Sequence, residues 1–216
     1  MQALILGASG RIGRLVVMRL KRDRHRVTAL VRDRSEVAKL DGIDRIPGDV
    51  RDRVAVERAV AGKDVVIAVL GPRTNGAAEV EALETGMRNL VAAMEALGVR
   101  RLIALSGAGI TVPGEDKPLI DRIATRIVRR LAAQVVAAKQ REYEVFSGSS
   151  LEWTAVRPPL VNDGAPRGYR LSLRLEPGAR VTRADVADAI ADLATTGEFV
   201  REAPFVLRAR GTRLPR

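Results

Sequence analysis

The chain of 216 residues is 46% hydrophobic, which is long and apolar enough to bury one substantial core within a single α/β domain. It contains no cysteine and one histidine, His25, which excludes disulfides and metal sites built from thiolates or histidine clusters. The formal net charge of +11 comes mostly from scattered arginines, and only 3% of residues are aromatic, which disfavours a nucleic-acid-binding face.

Apolar runs of strand length alternate with longer amphipathic stretches, a pattern typical of βα units that build a parallel sheet. The predicted strands span 2–6, 26–31, 42–47, 64–70, 100–106, 153–157 and 204–209. The predicted helices span 11–22, 52–61, 78–97 and 182–195, with one or two more between 118 and 147. The sequence therefore predicts an α/β fold with a doubly wound parallel sheet in three αβα layers, as one domain over 1–210 with a flexible tail at 211–216.

The sequence gives no indication of a membrane segment or a targeting segment. A strand-like run begins at Gln2 with no basic leader before it. No stretch approaches the roughly 18–20 consecutive apolar residues needed to span a bilayer. We therefore expect a cytoplasmic protein with no membrane partner, and the oligomeric state is left open.

Three glycines at three-residue spacing follow the first strand, in the segment GASGRIG. Gly7 would allow the turn at the end of the strand, and Gly10 would let the backbone approach phosphates. Gly13 would let the following helix pack closely on the strand. A helix that begins near Arg11 presents unpaired amides and the positive end of its dipole at this turn. The pattern predicts binding of a dinucleotide pyrophosphate, and the alternative is tight βα packing without a ligand.

The end of the second strand indicates which dinucleotide is bound. NAD-selective sites carry an acidic residue about 20 residues past the glycines, where it takes the ribose hydroxyls. Here Val31 holds that position and Arg32 follows it. An arginine suits a 2′-phosphate, to which Arg11 and Arg34 would add positive charge. We therefore favour NADP(H) over NAD(H) and interpret Asp33 as a turn residue or a helix cap.

Further motifs follow the glycine turn in an order found in a known superfamily. They are VRD at 31–33, GDVRD at 48–52, VLGP at 69–72, LSG at 105–107, WTAVRPP at 153–159 and RADVADAI at 183–190. Over almost its whole length the chain resembles the atypical short-chain dehydrogenase/reductases. Within them it is most similar to the small NAD(P)H-binding proteins related to biliverdin reductase B/flavin reductase and to NmrA-like proteins. The resemblance implies an NAD(P)-binding Rossmann fold.

The resemblance also implies roles for individual residues. Asp49 would bond the adenine, and Ser106 matches the active-site serine of the family. Each has an alternative: Asp49 would only cap the helix near Asp52, and Ser106 would only satisfy a strand end. The implied cofactor-binding residues are Gly7, Ser9, Gly10, Arg11, Ile12, Gly13, Arg32, Asp49, Val50, Leu70, Gly71 and Pro158.

The chain departs from the family at the residue that moves a proton. In the dehydrogenases of this superfamily a tyrosine precedes a lysine by four residues and acts as acid or base. Lys139 matches the lysine, as a catalytic residue that would anchor the nicotinamide ribose or else as a solvated helix lysine. The tyrosine position holds Val135. Tyr143, one turn beyond Lys139, is interpreted as a packing residue.

The missing tyrosine narrows the chemistry that the resemblance implies. Hydride transfer remains possible without the tyrosine when a small-molecule acceptor takes its proton from water. We therefore expect NADPH-dependent reduction of a flavin-like, quinone-like or conjugated acceptor. The alternative is a non-catalytic NADP(H)-sensing regulator of the NmrA-like type. Epimerase or dehydratase chemistry would need the missing tyrosine and a larger C-terminal domain. The predicted substrate-side loops, 72–77, 107–118 and 159–168, identify no particular substrate.

Overall fold

The computed structural model describes residues 1–32, 41–72, 77–115 and 133–209. The interpretations of Asp33 and Arg34, the predicted helix start at 118–132 and the predicted tail at 211–216 lie outside these residues. The helices are α1 (Arg11–Arg22), α2 (Arg53–Val60), α3 (Ala77–Leu97), α4 (Ala133–Ser147) and α5 (Arg183–Thr196). The strands are β1 (Gln2–Leu6), β2 (Arg26–Val31), β3 (Asp44–Pro47), β4 (Val65–Ala68), β5 (Arg101–Leu105), β6 (Glu152–Val156), β7 (Leu160–Asn162), β8 (Tyr169–Ser172), β9 (Arg180–Thr182) and β10 (Phe205–Arg208).

Six of these strands form one sheet in the order β3-β2-β1-β4-β5-β6, and all its pairings are parallel. The predicted doubly wound sheet is thereby confirmed. From β1 the chain first adds β2 and β3 on one side, and it then crosses back to add β4 on the other side of β1. At such a switch point the helices diverge and leave a crevice at the carboxyl ends of the strands, which is where open α/β sheets bind ligands.

Both faces of the sheet are buried, and this explains why its strands are nearly continuous apolar runs. Alternate residues of β1 point to opposite faces: Ala3 and Ile5 pack into the core beneath α1 and α5. Leu4 and Leu6 pack into the core beneath α2, α3 and α4. The result is the predicted three-layer αβα arrangement.

Side chains at the ends of α2 and α5 fix where these helices begin. The carboxylate of Asp52 accepts from the amides of Val54 and Ala55, and Thr182 caps α5 by accepting from the amide of Asp185. The predicted helices at 52–61 and 182–195 therefore start one residue later than expected. Asp52, and not Asp49, caps α2.

The C-terminal region differs from the sequence predictions in two respects. The strand predicted at 204–209 is present as β10, but it pairs antiparallel with β8, and an isolated parallel bridge joins its Phe205 to Arg157 just beyond β6. The segment 159–168, predicted as a loop, contains β7, which pairs with β9. Strands of three or four residues give too few positions for an alternating pattern, so their pairing depends on partners that are distant in the chain.

Within the parts of the chain that the structure covers, none of the helices is both long enough and apolar enough to cross a membrane.

Candidate functional site

The glycine turn between β1 and α1 is shaped by close backbone packing. Gly7 has φ +84°, and a Cβ there would lie 2.4 Å from the carbonyl oxygen of Val69. A Cβ on Gly13 would lie 2.1 Å from the carbonyl oxygen of Gly7. The amide of Gly10 donates to that same oxygen at 3.1 Å, and Gly10 is the N-cap of α1. The turn therefore brings three backbone segments together without side chains between them.

The backbone amides in the first turn of α1 face the glycine turn. The amides of Arg11, Ile12 and Gly13 precede the first α-helical hydrogen bond, which runs from Arg14 to the carbonyl of Gly10. No acidic side chain lies in this turn, all of whose residues are described. Arg11 is exposed, whereas Ile12 is half-buried against the core. Amides, dipole and arginine all favour a bound anion.

A cleft of about 480 Å³ opens at the carboxyl ends of β1 to β4. Its volume falls within the range of about 300–1,000 Å³ that is usual for small-molecule sites. The first turns of α3 form its far wall, through Ala78, Glu79, Ala82 and Leu83. The predicted cofactor residues that line it are Gly7, Ser9, Gly10, Arg32, Asp49, Val50, Leu70 and Gly71. The glycine turn, the residue after β2 and the segment after β3 thus share one cavity.

The other predicted site residues do not line this cleft. Arg11, Ile12 and Gly13 are the first three residues of α1. Ser106, Lys139 and Pro158 lie beside the more distant strands β5 and β6 or on α4. The structure therefore separates the cleft at β1 to β4 from a second edge beside β5 and β6.

Arg32 directly follows β2 at the rim of the cleft, where it is exposed. Its positive charge is close enough to Asp49 to help lower the pKa of that carboxyl. Two cationic side chains, Arg32 and Arg51, therefore line the cleft near Asp49. The sequence analysis did not name Arg51, although it stands inside the GDVRD motif.

Arg51, two residues further along the chain, binds the side chain of Asp49. The Asp49 carboxylate accepts from the amide and the Nε of Arg51, both at 2.9 Å, and from its Nη2 at 3.0 Å. This bonding is the largest cause of a lowered pKa at Asp49, so the carboxylate stays ionised where the adenine would lie. Beside it, Val50 packs against Gly86, where a Cβ would lie 2.6 Å from its Cγ2.

Replacing Arg51 by alanine is expected to raise the pKa of Asp49 toward its ordinary value of 3.8, because its main hydrogen-bond donor is lost. In the wild type the lowered pKa adds stability that is complete above the unfolded-state pKa and disappears as the pH falls through the folded-state pKa. A carbon-13 NMR titration of the Asp49 carboxyl measures the midpoint. Arg53→Ala is the matched control, since Arg53 pairs with Glu57. Equal midpoints in Arg51→Ala and the wild type would contradict the assignment.

Lys139 is buried on α4, at 7% exposure, so it is not a solvated helix lysine. Its Nζ donates to the carbonyl oxygen of Leu70 at 2.6 Å and to Glu142 Oε2 at 2.8 Å. Burial raises the pKa of Glu142, and the charge of Lys139 opposes that rise. Glu142 Oε1 meets no hydrogen-bond partner among the described residues. Lys139 thus ties α4 to the cleft wall at Leu70.

Tyr143 does not take the place of the missing tyrosine. Its ring packs edge-on against Phe146 and Trp153, at centroid distances of 5.5 and 5.8 Å. Burial raises its pKa further, which makes the phenol a poorer acid. Val135, at the family's tyrosine position, is exposed on α4. The interpretation of Tyr143 as a packing residue agrees with this geometry.

Ser106 lies just beyond the end of β5, 9% exposed, and its amide donates to the carbonyl of Val156 at 2.8 Å. Its hydroxyl finds no hydrogen-bond partner within the described parts of the chain. The neighbouring Ala108 amide donates to the carbonyl of Pro158 at 3.3 Å, so the serine and Pro158 border the same edge. A buried hydroxyl without a partner is unfavourable unless a ligand supplies one.

Comparisons with known proteins agree with this geometry. A family model described as NAD(P)H-binding matches residues 7–196. A 3-diazoavenalumate denitrifying reductase from a Streptomyces species is 36% identical over 134 residues, which cover 57% of this chain and 43% of that protein. The chain spans less than half the length of this and the next two curated relatives.

Solved structures match the chain over nearly its full length. A Rossmann-fold NAD(P)-binding family protein from Shigella flexneri is 26% identical, with a TM-score of 0.72 over 99% of this chain and 97% of that one. ChuY, an anaerobillin reductase from Escherichia coli O157:H7, shares the fold at 21% identity, with a TM-score of 0.80 over 99% of this chain and 100% of that one. These matches and the glycine turn agree with the resemblance to the atypical short-chain dehydrogenase/reductases: the chain belongs to the NAD(P)H-binding family and has a Rossmann fold.

Proposed function

We propose that the protein is an NADPH-dependent reductase of a flavin-like, quinone-like or conjugated acceptor. The observation that carries the proposal is the Ser106 hydroxyl, which is buried beside Pro158 and has no hydrogen-bond partner among the residues that the structure describes. A hydroxyl in this position would donate a hydrogen bond to a carbonyl of the acceptor. The reductase names of the curated relatives support the reaction class.

Different residues of the cleft would bind different parts of the cofactor. The amides of the first turn of α1 would hold the diphosphate, and Arg32 would pair with the 2′-phosphate. Asp49 would accept from the adenine amino group, while Leu70 and Gly71 would cover the adenosine ribose. Bound in this way, the nicotinamide supplies two electrons and a proton as one transferred hydrogen.

Proton delivery explains why a conjugated acceptor is proposed in preference to a simple ketone. Val135 cannot supply a proton, and Tyr143 lies in the aromatic core. Lys139 is held by Glu142 and the carbonyl of Leu70, so on this proposal it positions α4 against the cofactor. An acceptor that delocalises the incoming electrons and takes its proton from water needs no side-chain acid.

Calorimetry with NADPH and NADH, followed by an acceptor screen on the same sample, tests this function. We expect NADPH to bind more tightly than NADH and to be oxidised by some flavins, quinones or conjugated enones. Tight NADPH binding with no turnover across the panel would contradict the reductase proposal. That outcome would favour the NADP(H)-sensing regulator, which also accounts for valine at position 135.

A further inference from the structure

Arg157 directly follows β6, and its charged side chain is buried in the interior of the protein. Its side chain is 1% exposed, and its guanidinium lies 4.0 Å from the ring centroid of Phe205. Two of its nitrogens meet the two carboxylate oxygens of Glu115, from Nη1 to Oε1 at 3.1 Å and from Nη2 to Oε2 at 3.0 Å. Nη2 also donates to the carbonyl of Ile110 at 3.5 Å. These contacts of the Arg157 side chain fix the segment after β5.

The residues on either side of Arg157 hold the same segment through their backbone. The carbonyl of Val156 accepts from the amide of Ser106 at 2.8 Å, and that of Pro158 accepts from the amide of Ala108 at 3.3 Å. Three consecutive residues therefore fasten the chain that carries the Ser106 hydroxyl. The side-chain contacts of Arg157 are the part of this attachment that a substitution can remove without touching the backbone.

Stability alone is a weak reason for such a pair. Burial disfavours the charged form and lowers the pKa of Arg157, while the hydrogen bonds that Arg157 donates to Glu115 oppose that shift. Buried ion pairs contribute little net stability compared with apolar side chains of similar volume, because both charges lose their hydration. A bidentate arginine–carboxylate contact instead fixes the relative orientation of the two side chains, since its planar geometry permits few arrangements.

We propose that Arg157 and Glu115 are positioning residues that hold the Ser106 hydroxyl toward the hydride acceptor. This inference rests on the proposed reductase function. Neither residue of the pair lines the dinucleotide cleft, so we expect the pair to act on the acceptor step and to leave cofactor binding unchanged.

A double-mutant cycle between Glu115→Gln and Ser106→Ala tests the proposal. In the wild-type background Glu115→Gln is expected to lower kcat about tenfold, since small displacements of a reacting group cost this much or more. In the Ser106→Ala background the same change should alter kcat less than about twofold, because the group it positions is absent. The Kd for NADPH should match the wild type in both. An equal loss in both backgrounds, or weaker NADPH binding, would overturn the proposal.

Two further measurements keep the test independent of general damage and of the proposed function. Glu152→Gln removes an exposed pair with Arg100 at the opposite end of β6 and should leave kcat unchanged. Hydrogen exchange needs no acceptor: the Ser106 and Ala108 amides should exchange about tenfold faster in Glu115→Gln, with the β5 amides unaffected. Unchanged exchange at both amides would refute the positioning role. A wild-type protein without turnover would refute only the reductase function.

Discussion

Replacing Gly13 by alanine is expected to weaken NADPH binding about 100-fold, since misplacing a binding group by about 1 Å has consequences of this order. The added Cβ would lie 2.1 Å from the carbonyl oxygen and 3.0 Å from the carbonyl carbon of Gly7, and 3.1 Å from the Cα of Ala8. These are backbone atoms, so the clash is relieved only by moving α1 away from the turn. The amides that would hold the diphosphate move with it. Calorimetric titration with NADPH measures the loss.

The same substitution is expected to lower the free energy of unfolding by about 1–3 kcal/mol, as overpacking at a close contact does. Urea denaturation measures that change. Gly148→Ala is the matched control, because a Cβ there would lie at ordinary contact distances from the carbonyl oxygens of Glu144, at 3.4 Å, and Val145, at 3.8 Å, near the end of α4. It should leave NADPH affinity unchanged. A Gly13→Ala protein that binds NADPH like the wild type would show that the turn holds no diphosphate.

Arg32→Asp is expected to shift the preference between the two cofactors towards NADH by about 100-fold, the size of a lost charged hydrogen bond combined with a new repulsion. Arg32 directly follows β2 at the rim of the cleft, where on the proposed binding mode it would pair with the 2′-phosphate. The new carboxylate would repel that phosphate and accept from the ribose hydroxyls of NADH. The ratio of the two dissociation constants is the measured quantity.

Arg26→Asp separates this local effect from the change in net charge. Arg26 is exposed and begins the same strand, about 20 Å from Arg32 by the rise of six extended residues. Its surface pair with Asp44 has little energetic weight. The cofactor ratio should be unchanged in this variant. If Arg26→Asp shifts the ratio as far as Arg32→Asp does, the selectivity arises from the overall field and the assignment to Arg32 fails.

Most of the cofactor half of the site could be predicted from the sequence, because its determinants are local. The spacing of Gly7, Gly10 and Gly13 matches one turn and the start of one helix, and the structure places all three in close backbone contact. Five of the six sheet strands, all but β3, were predictable because strands buried on both faces are continuous apolar runs. The short, partly exposed strands β7, β8 and β9 were not predicted, because three or four residues carry little periodic signal.

Other parts of the site depend on residues that only the fold brings together. Glu115 and Arg157 are 42 positions apart, and Lys139 is 69 positions from the carbonyl of Leu70 that it bonds. Sequence spacing offered solvation as an alternative for Lys139, whereas the structure buries it against Glu142. Likewise, a cap remained an alternative for Asp49 until the contacts gave that role to Asp52.

The sequence by itself determined the dinucleotide cradle, the positions of the sheet strands and the cationic side chain after β2, since each depends on residues close together in the chain. Tertiary structure alone decided which polar groups are buried, which of them are paired, and that the Ser106 hydroxyl has no partner among the described residues. The physical reason is desolvation: a charge or hydroxyl acquires its cost and its preferred partner only when distant elements pack around it and remove water.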